Sequence, residues 1–472
     1  MAVVAALFLQ YRIVRQQWGV EALSSYSIVF RARGALEWII LLVLPLATAR
    51  QLSMTEERKL KWGLSFTSML SGAFLLVFFS ASCLFFKNTA SFLMFGTVNL
   101  VPWVLPFCSL LISYGFFLLV SGVLRGFFEF RIANGINVIS IAVVPTICLM
   151  AGGSFILVDV VFYMGIFSVL TTTILFLVYL AIQKPEFCSL KKERFSRDLK
   201  SLLSYGSPRL LTLAGSALFI MFLPWLLSMH GETNILAALN SMMAIVSASA
   251  MLTAPTGFVL LPHFSRSIAA GDKDEAALLL GKIIDFTCFI GLAGSIMSLG
   301  FLDDVMVFWL GNNFSKFTVM LIATSLIVPA FLLIDVLRNP IDAASSIPWN
   351  AFTYLVGFFV SALTYVVLIV SRVVNLEIIC SISLVAGFGF AAVTCLITAS
   401  ILYGLRQKIK NIYIFVLIWV LAIILHVFAI DYRLSSQLIN AISIGLLIFL
   451  AASVIFAKPT WYQMIFGLKR KK

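Results

Sequence analysis

The sequence predicts an all-α polytopic membrane protein of about fourteen transmembrane helices, arranged as two six-helix bundles followed by two C-terminal helices. Three observations predict this fold class: the composition, the spacing of the apolar runs, and the alternation of lysine and arginine between those runs. Of the 472 residues, 61% are hydrophobic and 11% are charged, and the mean hydropathy is +1.07. Soluble domains contain about 25% charged residues, so this composition indicates an integral membrane protein.

Apolar runs of about 20 residues, the length that spans the hydrocarbon core, recur along the whole chain. They lie at about 27–49, 64–86, 100–123, 134–154, 156–182, 205–229, 236–262, 281–302, 317–337, 351–371, 377–404, 411–430 and 436–457. A shorter run from Met1 to about Val14 precedes them and completes the fourteen. It indicates a partial helix or a start codon further upstream, and it lacks the basic start of a cleaved signal peptide.

The basic residues test this count. Of the 33 lysines and arginines, 25 fall in or next to alternate gaps and in the C-terminal tail, and the remaining eight fall in or next to the other gaps. Because basic loops stay in the cytoplasm, the alternation predicts a cytoplasmic (inner or plasma) membrane protein with both termini cytoplasmic. The net charge of +13 is therefore attributed to cytoplasmic loops, and no nucleic-acid partner is predicted.

Two short motifs recur at similar helix ends. The segment "LPLATARQL" at 44–52 is echoed by "LPHFSRSI" at 261–268, and "VLRGFFEFR" at 123–131 by "VLRNPIDAA" at 336–344. This internal repeat predicts two related bundles, which is typical of transporters that work by alternating access. The predicted domains are an N-terminal bundle at 1–183, a cytoplasmic linker at 184–204 with a short surface helix at about 195–203, a C-terminal bundle at 205–404, and the last two helices with a basic tail at 405–472.

The polar residues argue against catalysis. Seven cysteines without a CxxC pair and only three histidines indicate no disulfide framework and no metal site, and no cofactor is predicted. The outer loops are too short for an external catalytic domain, so the chain is not predicted to be an enzyme. A lipid scramblase or an inert scaffold remains as an alternative.

Two segments carry a resemblance to a known family. They are "YGSPRLLTLAGSALFIMFLPWLL" and "LAALNSMMAIVSASAMLTAPTGFVLLPHFSRSIAAGDKDEAALLL", and "WGVEALSSYSI" at 18–28 is a further match. With them the chain resembles the polysaccharide transporter family, which includes the Wzx-type O-antigen flippases, within the multidrug/oligosaccharidyl-lipid/polysaccharide exporter superfamily. The resemblance implies a flippase for a polyprenyl-linked oligosaccharide in polysaccharide biosynthesis, in contact with membrane lipid and driven by Na⁺ or H⁺ if an ion is coupled.

Other members of that superfamily provide alternatives. Cation-coupled multidrug exporters commonly use carboxylates in helix 1 or 7, and neither predicted span contains one, which weakens but does not remove that reading. Lipid II flippases carry a cavity arginine in helix 2, upstream of a helix-ending proline, and Arg31 looks like that arginine. They also carry an arginine in helix 8, whereas the span 236–262 has no charged residue, so the Wzx-like reading is favoured.

Three charged residues in the span 27–49 are the main candidates for a binding site. Charges near a helix centre in the membrane cost about 2.5–3.5 kcal/mol each, which indicates a function. On a continuous helix Arg33 lies about 25 Å from Arg50, in the outer part of the bilayer. Arg33 and Glu37 are four residues apart and are predicted to pair, whereas Arg31 points elsewhere and is predicted to bind pyrophosphate in a central cavity. Snorkelling of both arginines to the outer headgroups is the alternative.

Further candidates lie near the cytoplasmic helix ends. Arg209 follows Pro208 at the start of helix 7 and is predicted to line the cavity entrance. Asp335 and Arg338, with Asp342 one turn later, form either a local ladder of ion pairs or a gate between the bundles.

Overall fold

The computed structural model describes residues 2–184, 192–250, 264, 273–314, 316–345, 347–371 and 375–405. Every regular element in these ranges is helical, and within them nine helices are long and apolar enough to cross a membrane. The predicted fold class, an all-α polytopic membrane protein, is confirmed. The predicted spans 411–430 and 436–457, and the part of the span 236–262 after residue 250, lie outside the described residues.

The chain divides into two compact units, residues 1–244 and 245–472. The first unit contains α1 Ala2–Ile40, α2 Leu44–Met54, α3 Arg58–Phe85, α4 Lys87–Phe95, α5 Val104–Gly126, α6 Phe130–Asn137, α7 Val144–Ala151, α8 Leu157–Gln183, α9 Lys192–Met229 and most of α10 Thr233–Ser249. A 3₁₀ turn at Val98–Trp103 leads into α5, and a π turn at Val138–Val143 joins α6 to α7. The predicted domain boundaries after residues 183, 204 and 404 stay predictions.

The predicted span 27–49 is wrong as a single helix. Helix α1 ends at Ile40 and α2 begins at Leu44, and between them Leu42 and Val43 adopt left-handed backbone angles, with φ of 49° and 61°. Pro45 explains the break, because it has no N–H to donate to the carbonyl of residue 41 and is tolerated only in the first turn of a helix. The predicted span 134–154 corresponds instead to one continuous candidate span, Phe130–Ala151, in which a π turn at Val138–Val143 precedes Pro145 in the first turn of α7.

The first apolar run is longer than the predicted Met1–Val14. Helix α1 begins at Ala2 and continues through residues 15–26, which separate the first two predicted spans. It is kinked at Gly19, where φ is 90° and ψ is −173°. This backbone conformation is essentially restricted to glycine. The kink separates an N-terminal arm, residues 2–18, from a second arm, residues 20–40, which carries Arg31, Arg33 and Glu37.

The prediction for the region of α9 is also wrong. The surface helix predicted at about 195–203 is not separate but forms one helix with the predicted span 205–229. Helices α9 and α5 both approach the break between α1 and α2 closely. A Cβ atom at Gly206 would lie 2.6 Å from the carbonyl oxygen of Leu42, and one at Gly122 would overlap the carbonyl oxygen of Pro45. Glycine at these two positions therefore lets both helices brace the break.

Helix α5 forms the centre of the first unit. In its most apolar stretch 83% of the residues are buried, against 28% in both α3 and α8. Helices α2, α3 and α8 pack around it. The outer faces of α3 and α8 expose large apolar side chains such as Phe74, Phe78 and Ile174, as expected for helices that face lipid.

The second unit has its own core. Its helices are α11 Lys273–Leu310, α12 Thr318–Ala344, α13 Trp349–Val370 and α14 Leu376–Tyr403. Helix α12 packs against α11 and α14, and α14 packs against α13. Fully buried residues of this core include Leu280, Ile284, Leu337 and Cys395.

Candidate functional site

Arg33 and Glu37 form an ion pair inside the first unit. One guanidinium nitrogen of Arg33, Nη1, lies 2.9 Å from Oε2 of Glu37, and the two side chains are only 12% and 10% exposed. The pairing predicted from their spacing is confirmed. The guanidinium carbon of Arg33 also lies 3.6 Å from the centre of the Tyr114 ring and 5.5 Å from that of Phe30. Arg33 is therefore compensated by both a carboxylate and an aromatic face.

Arg31 has a different environment. Its Nη2 donates a hydrogen bond of 3.2 Å to the backbone carbonyl of Asn240 at the centre of α10, and its Nε is buried without a hydrogen-bond partner. The side chain is half-buried, and no carboxylate in the described residues pairs with it. A backbone carbonyl neutralises none of the guanidinium charge, so most of the donors on Arg31 are left for another acceptor.

Helix α10 is held against α1 at a second point. The side-chain amide of Asn240 is fully buried and donates from Nδ2 to the hydroxyl of Ser27 at 2.9 Å, whereas its Oδ1 is buried without a partner. Sequence reasoning did not find Asn240. The available signal was a polar Asn-Ser pair at 240–241 inside an otherwise apolar run.

Aromatic side chains link the two arms of α1 beside these arginines. Tyr11 and Tyr26 meet edge to face with ring centres 5.9 Å apart, and Tyr26 lies 4.4 Å from Phe30. Phe30 is in turn 6.2 Å from Tyr114 on α5. Tyr11 is close enough to both Arg31 and Arg33 to interact with their charges. Arg31, Arg33 and Glu37 therefore belong to one group, which we call the α1 cluster together with Asn240 and Tyr114.

Arg209 belongs to a separate group. It lies on α9, where its Nη1 donates to the backbone carbonyl of Tyr205 at 3.2 Å and its guanidinium carbon sits 4.0 Å from the centre of the Tyr205 ring. Its predicted role at the cavity entrance remains a prediction.

The predicted gate residues form a local network in the second unit. The side-chain amide of Asn350 donates to the backbone carbonyl of Arg338 at 3.0 Å and to Oδ1 of Asp342 at 2.8 Å. Arg338 also interacts with Asp335 and Tyr354. The structure therefore brings Asp335, Arg338 and Asp342 together, and their role as a gate stays a prediction.

The fold can be compared with solved structures. An inward-facing multidrug resistance MATE family transporter of the MOP superfamily is similar with a TM-score of 0.70 and 15% identity, covering 86% of this chain and 96% of that one. The lipid II flippase MurJ in an inward closed conformation is similar with a TM-score of 0.70 and 12% identity, covering 98% of this chain and 97% of that one. A eukaryotic MATE transporter is similar with a TM-score of 0.62 and 12% identity, covering 87% of this chain and 96% of that one.

The chain has the fold of these transporters. No protein-family model matches the sequence, and no curated protein matches it. At 12–15% identity the likeness establishes the fold, a multi-pass membrane architecture that the neighbours use for transport rather than for enzymatic catalysis.

Proposed function

We propose that this chain is a flippase that moves a polyprenyl-pyrophosphate-linked oligosaccharide across the cytoplasmic membrane by alternating access. The observation that carries the proposal is Arg31, a half-buried arginine in the membrane-embedded arm of α1 whose hydrogen bond goes to the backbone carbonyl of Asn240. Membrane helices rarely hold such a charge without a functional reason, because it is costly near the helix centre.

The chemistry of the α1 cluster fits a phosphorylated substrate. A guanidinium presents a planar fork of donors that matches phosphate oxygens and binds them by two parallel hydrogen bonds. The charge of Arg33 is compensated by Glu37 and by the face of Tyr114, so Arg31 is the arginine of the cluster whose charge no described carboxylate balances. In this proposal Arg31 binds the pyrophosphate, and Arg33 and Glu37 hold the arm in place beside it.

The position of Arg31 also couples binding to movement. Its bond to Asn240 ties the second arm of α1 to α10, and α10 continues across the boundary between the two compact units. A phosphate that takes the Arg31 donors would compete with this carbonyl and release this tie between α1 and α10. The Gly19 kink and the break at 41–43 flank the arm and would serve as its hinges.

Substitution of Arg31 tests the proposal. We expect Arg31→Ala to abolish glycan export while the protein stays in the membrane, because the phosphate contact is lost. Arg31→Lys should only weaken export, since it keeps the charge and loses the planar fork. Arg131→Ala removes an exposed arginine of the same unit and serves as the matched control. Export by Arg31→Ala at the level of the control would rule out the proposed role.

A cation-coupled multidrug exporter is the second candidate. It is favoured by the inward-facing MATE neighbour, whose TM-score of 0.70 equals that of the flippase, and by Glu37, a buried carboxylate in a membrane helix. The flippase is supported by coverage, since its match extends over 98% of this chain and the MATE match over 86%. Ion-driven efflux of ethidium from cells that express the chain, unaffected by Arg31→Ala, would favour the exporter.

A further inference from the structure

A tyrosine on α9 is contacted by two arginines from different helices. The guanidinium carbon of Arg50 on α2 lies 4.3 Å from the centre of the Tyr205 ring, and that of Arg209 on α9 lies 4.0 Å from it. The two guanidinium carbons are therefore no more than 8.3 Å apart, the sum of these two distances. We call Arg50, Tyr205 and Arg209 the Tyr205 cluster.

No carboxylate of the described residues pairs with either arginine of this cluster. Helix α2 contains no acidic residue, and Glu56 and Glu57 follow only after its end. On α9 the nearest acid is Asp198, seven residues before Tyr205, and it is paired with Arg194 at 3.6 Å. Two guanidinium groups are thus held within reach of each other by an aromatic ring that offsets only part of their repulsion.

The cluster is built by the fold and does not depend on flexible side chains meeting by chance. Gly206, next to Tyr205, packs against the carbonyl of Leu42 at the break between α1 and α2. This contact fixes the start of the membrane-embedded part of α9 beside α2. Arg50 is exposed and Arg209 is half-buried, so both cations can be reached from outside the unit.

Two guanidinium groups beside one ring offer donors to a shared anion. Their carbons are at most 8.3 Å apart, and guanidinium groups bind phosphate oxygens by charge-assisted hydrogen bonds of about 2.8 Å. Basic residues at the ends of the same two helices and of α3, including Arg58, Lys61, Arg194 and Lys200, identify the end of the unit at which anionic lipid headgroups would be met.

We propose that Arg50 and Arg209, positioned on Tyr205, form a binding site for the phosphate group of a membrane lipid, separate from the α1 cluster. The phosphate belongs either to the polyprenyl carrier of the substrate or to an anionic phospholipid of the surrounding bilayer. The site binds such a lipid whether or not the transporter moves it, so the inference stands independently of the flippase proposal.

Native mass spectrometry of the full chain in detergent tests the site. The protein is titrated separately with polyprenyl phosphate, with phosphatidylglycerol and with zwitterionic phosphatidylcholine, and bound lipid is counted. We expect the double variant Arg50→Gln with Arg209→Gln to bind one or both anionic lipids at least tenfold more weakly than the wild type. Binding of phosphatidylcholine should not change, and Arg197→Gln, an exposed arginine on the same helix, is the matched control.

The lipid whose binding is lost in the double variant identifies the lipid that the site holds. A loss confined to polyprenyl phosphate assigns the site to the carrier, and a loss confined to phosphatidylglycerol assigns it to bulk lipid. Equal binding by the double variant and the wild type overturns the site. If the double variant does not elute as folded protein, Tyr205→Leu replaces it and should weaken binding severalfold. Arg31 is kept intact in every variant of the lipid titration, whereas the flippase proposal is tested by glycan export in Arg31→Ala. Failure of this site and failure of the flippase proposal are therefore read from different measurements.

Discussion

At the scale of single residues, the two arginines of the α1 cluster differ in how their charges are compensated. Arg33 has a carboxylate at 2.9 Å and an aromatic ring centre at 3.6 Å, and its exposed fraction is 12%. Arg31, two residues earlier on the same arm, has a backbone carbonyl. This contrast separates a structural arginine from a candidate ligand-binding one within a single turn of helix.

Removal of one partner from the Arg33–Glu37 pair should be costly. We expect Glu37→Gln to lower the free energy of unfolding by about 3 kcal/mol, because Arg33 would keep its charge in a buried site without a carboxylate. The double variant Arg33→Leu with Glu37→Leu should recover most of that loss, since no unpaired charge remains. The midpoint temperature of thermal unfolding in detergent measures both. Equal loss in the single and double variants would show that the ion pair is not the cause.

Sequence spacing predicted one of these contacts and missed the other. Arg33 and Glu37 are four residues apart, so helical geometry alone brings them together. Arg31 and Asn240 are 209 positions apart, and only the packing of α10 on α1 joins them. Tyr114 was visible as an aromatic residue, but its place under Arg33 depends on the packing of α5. The charged residues of the site and the local Arg33–Glu37 pair could therefore be predicted, and the partners that other helices contribute could not.

At the scale of elements, the apolar runs predicted where helices lie but not where they break or join. Hydropathy measures which residues can face lipid, and it carries no information on whether the backbone hydrogen bonds continue. Pro45 is a visible signal inside the predicted span 27–49, and it lies in the first turn of the helix that follows the break at 41–43. Pro145 is a similar signal in the sequence, yet the span around it continues through a π turn. The opposite holds for α9: the sequence predicts a separate surface helix at about 195–203, whereas this charged stretch continues into the apolar helix without a break.

Substitution of Gly19 tests whether α1 is kinked at this position. Its φ of 90° and ψ of −173° exclude other residues, although nothing lies within 4 Å of where a Cβ would stand. The cost of Gly19→Ala is therefore purely conformational, and we expect it to destabilise the protein by about 1–3 kcal/mol. Among 28 glycines the sequence alone offers no sign that this one bends a helix.

Gly34 is the matched control for Gly19. It lies on the same helix, has no positive φ, and likewise has nothing within 4 Å of a Cβ position. Gly34→Ala should be neutral or stabilise the protein by about 0.4–1 kcal/mol, because alanine loses less backbone entropy on folding. Thermal unfolding in detergent compares the two variants. A Gly19→Ala protein as stable as Gly34→Ala would mean that α1 is straight at this position.

At the scale of the whole molecule, the structure makes the chain a multi-pass membrane protein, and the distribution of charge predicts its orientation. Lysine and arginine cluster at the end of the first unit that holds the start of α3 and the start of α9, as at Arg58 and Arg194. The opposite end holds the loop between α7 and α8, around Ser154. The rule for basic loops places the first end in the cytoplasm and Ser154 outside.

Cysteine labelling in intact cells measures this orientation. Lys200 and Ser154 are both exposed, so a cysteine at either position can react with a membrane-impermeant maleimide that reaches it. We expect Ser154→Cys to be labelled in intact cells and Lys200→Cys only after the membrane is permeabilised. The unsubstituted protein, with its seven cysteines, provides the background. Labelling of Lys200→Cys in intact cells would contradict this prediction and show that the opposite orientation holds. The Tyr205 cluster, about 8 Å further along the same helix, would then face the outer leaflet and could not receive a carrier lipid from the cytoplasmic side.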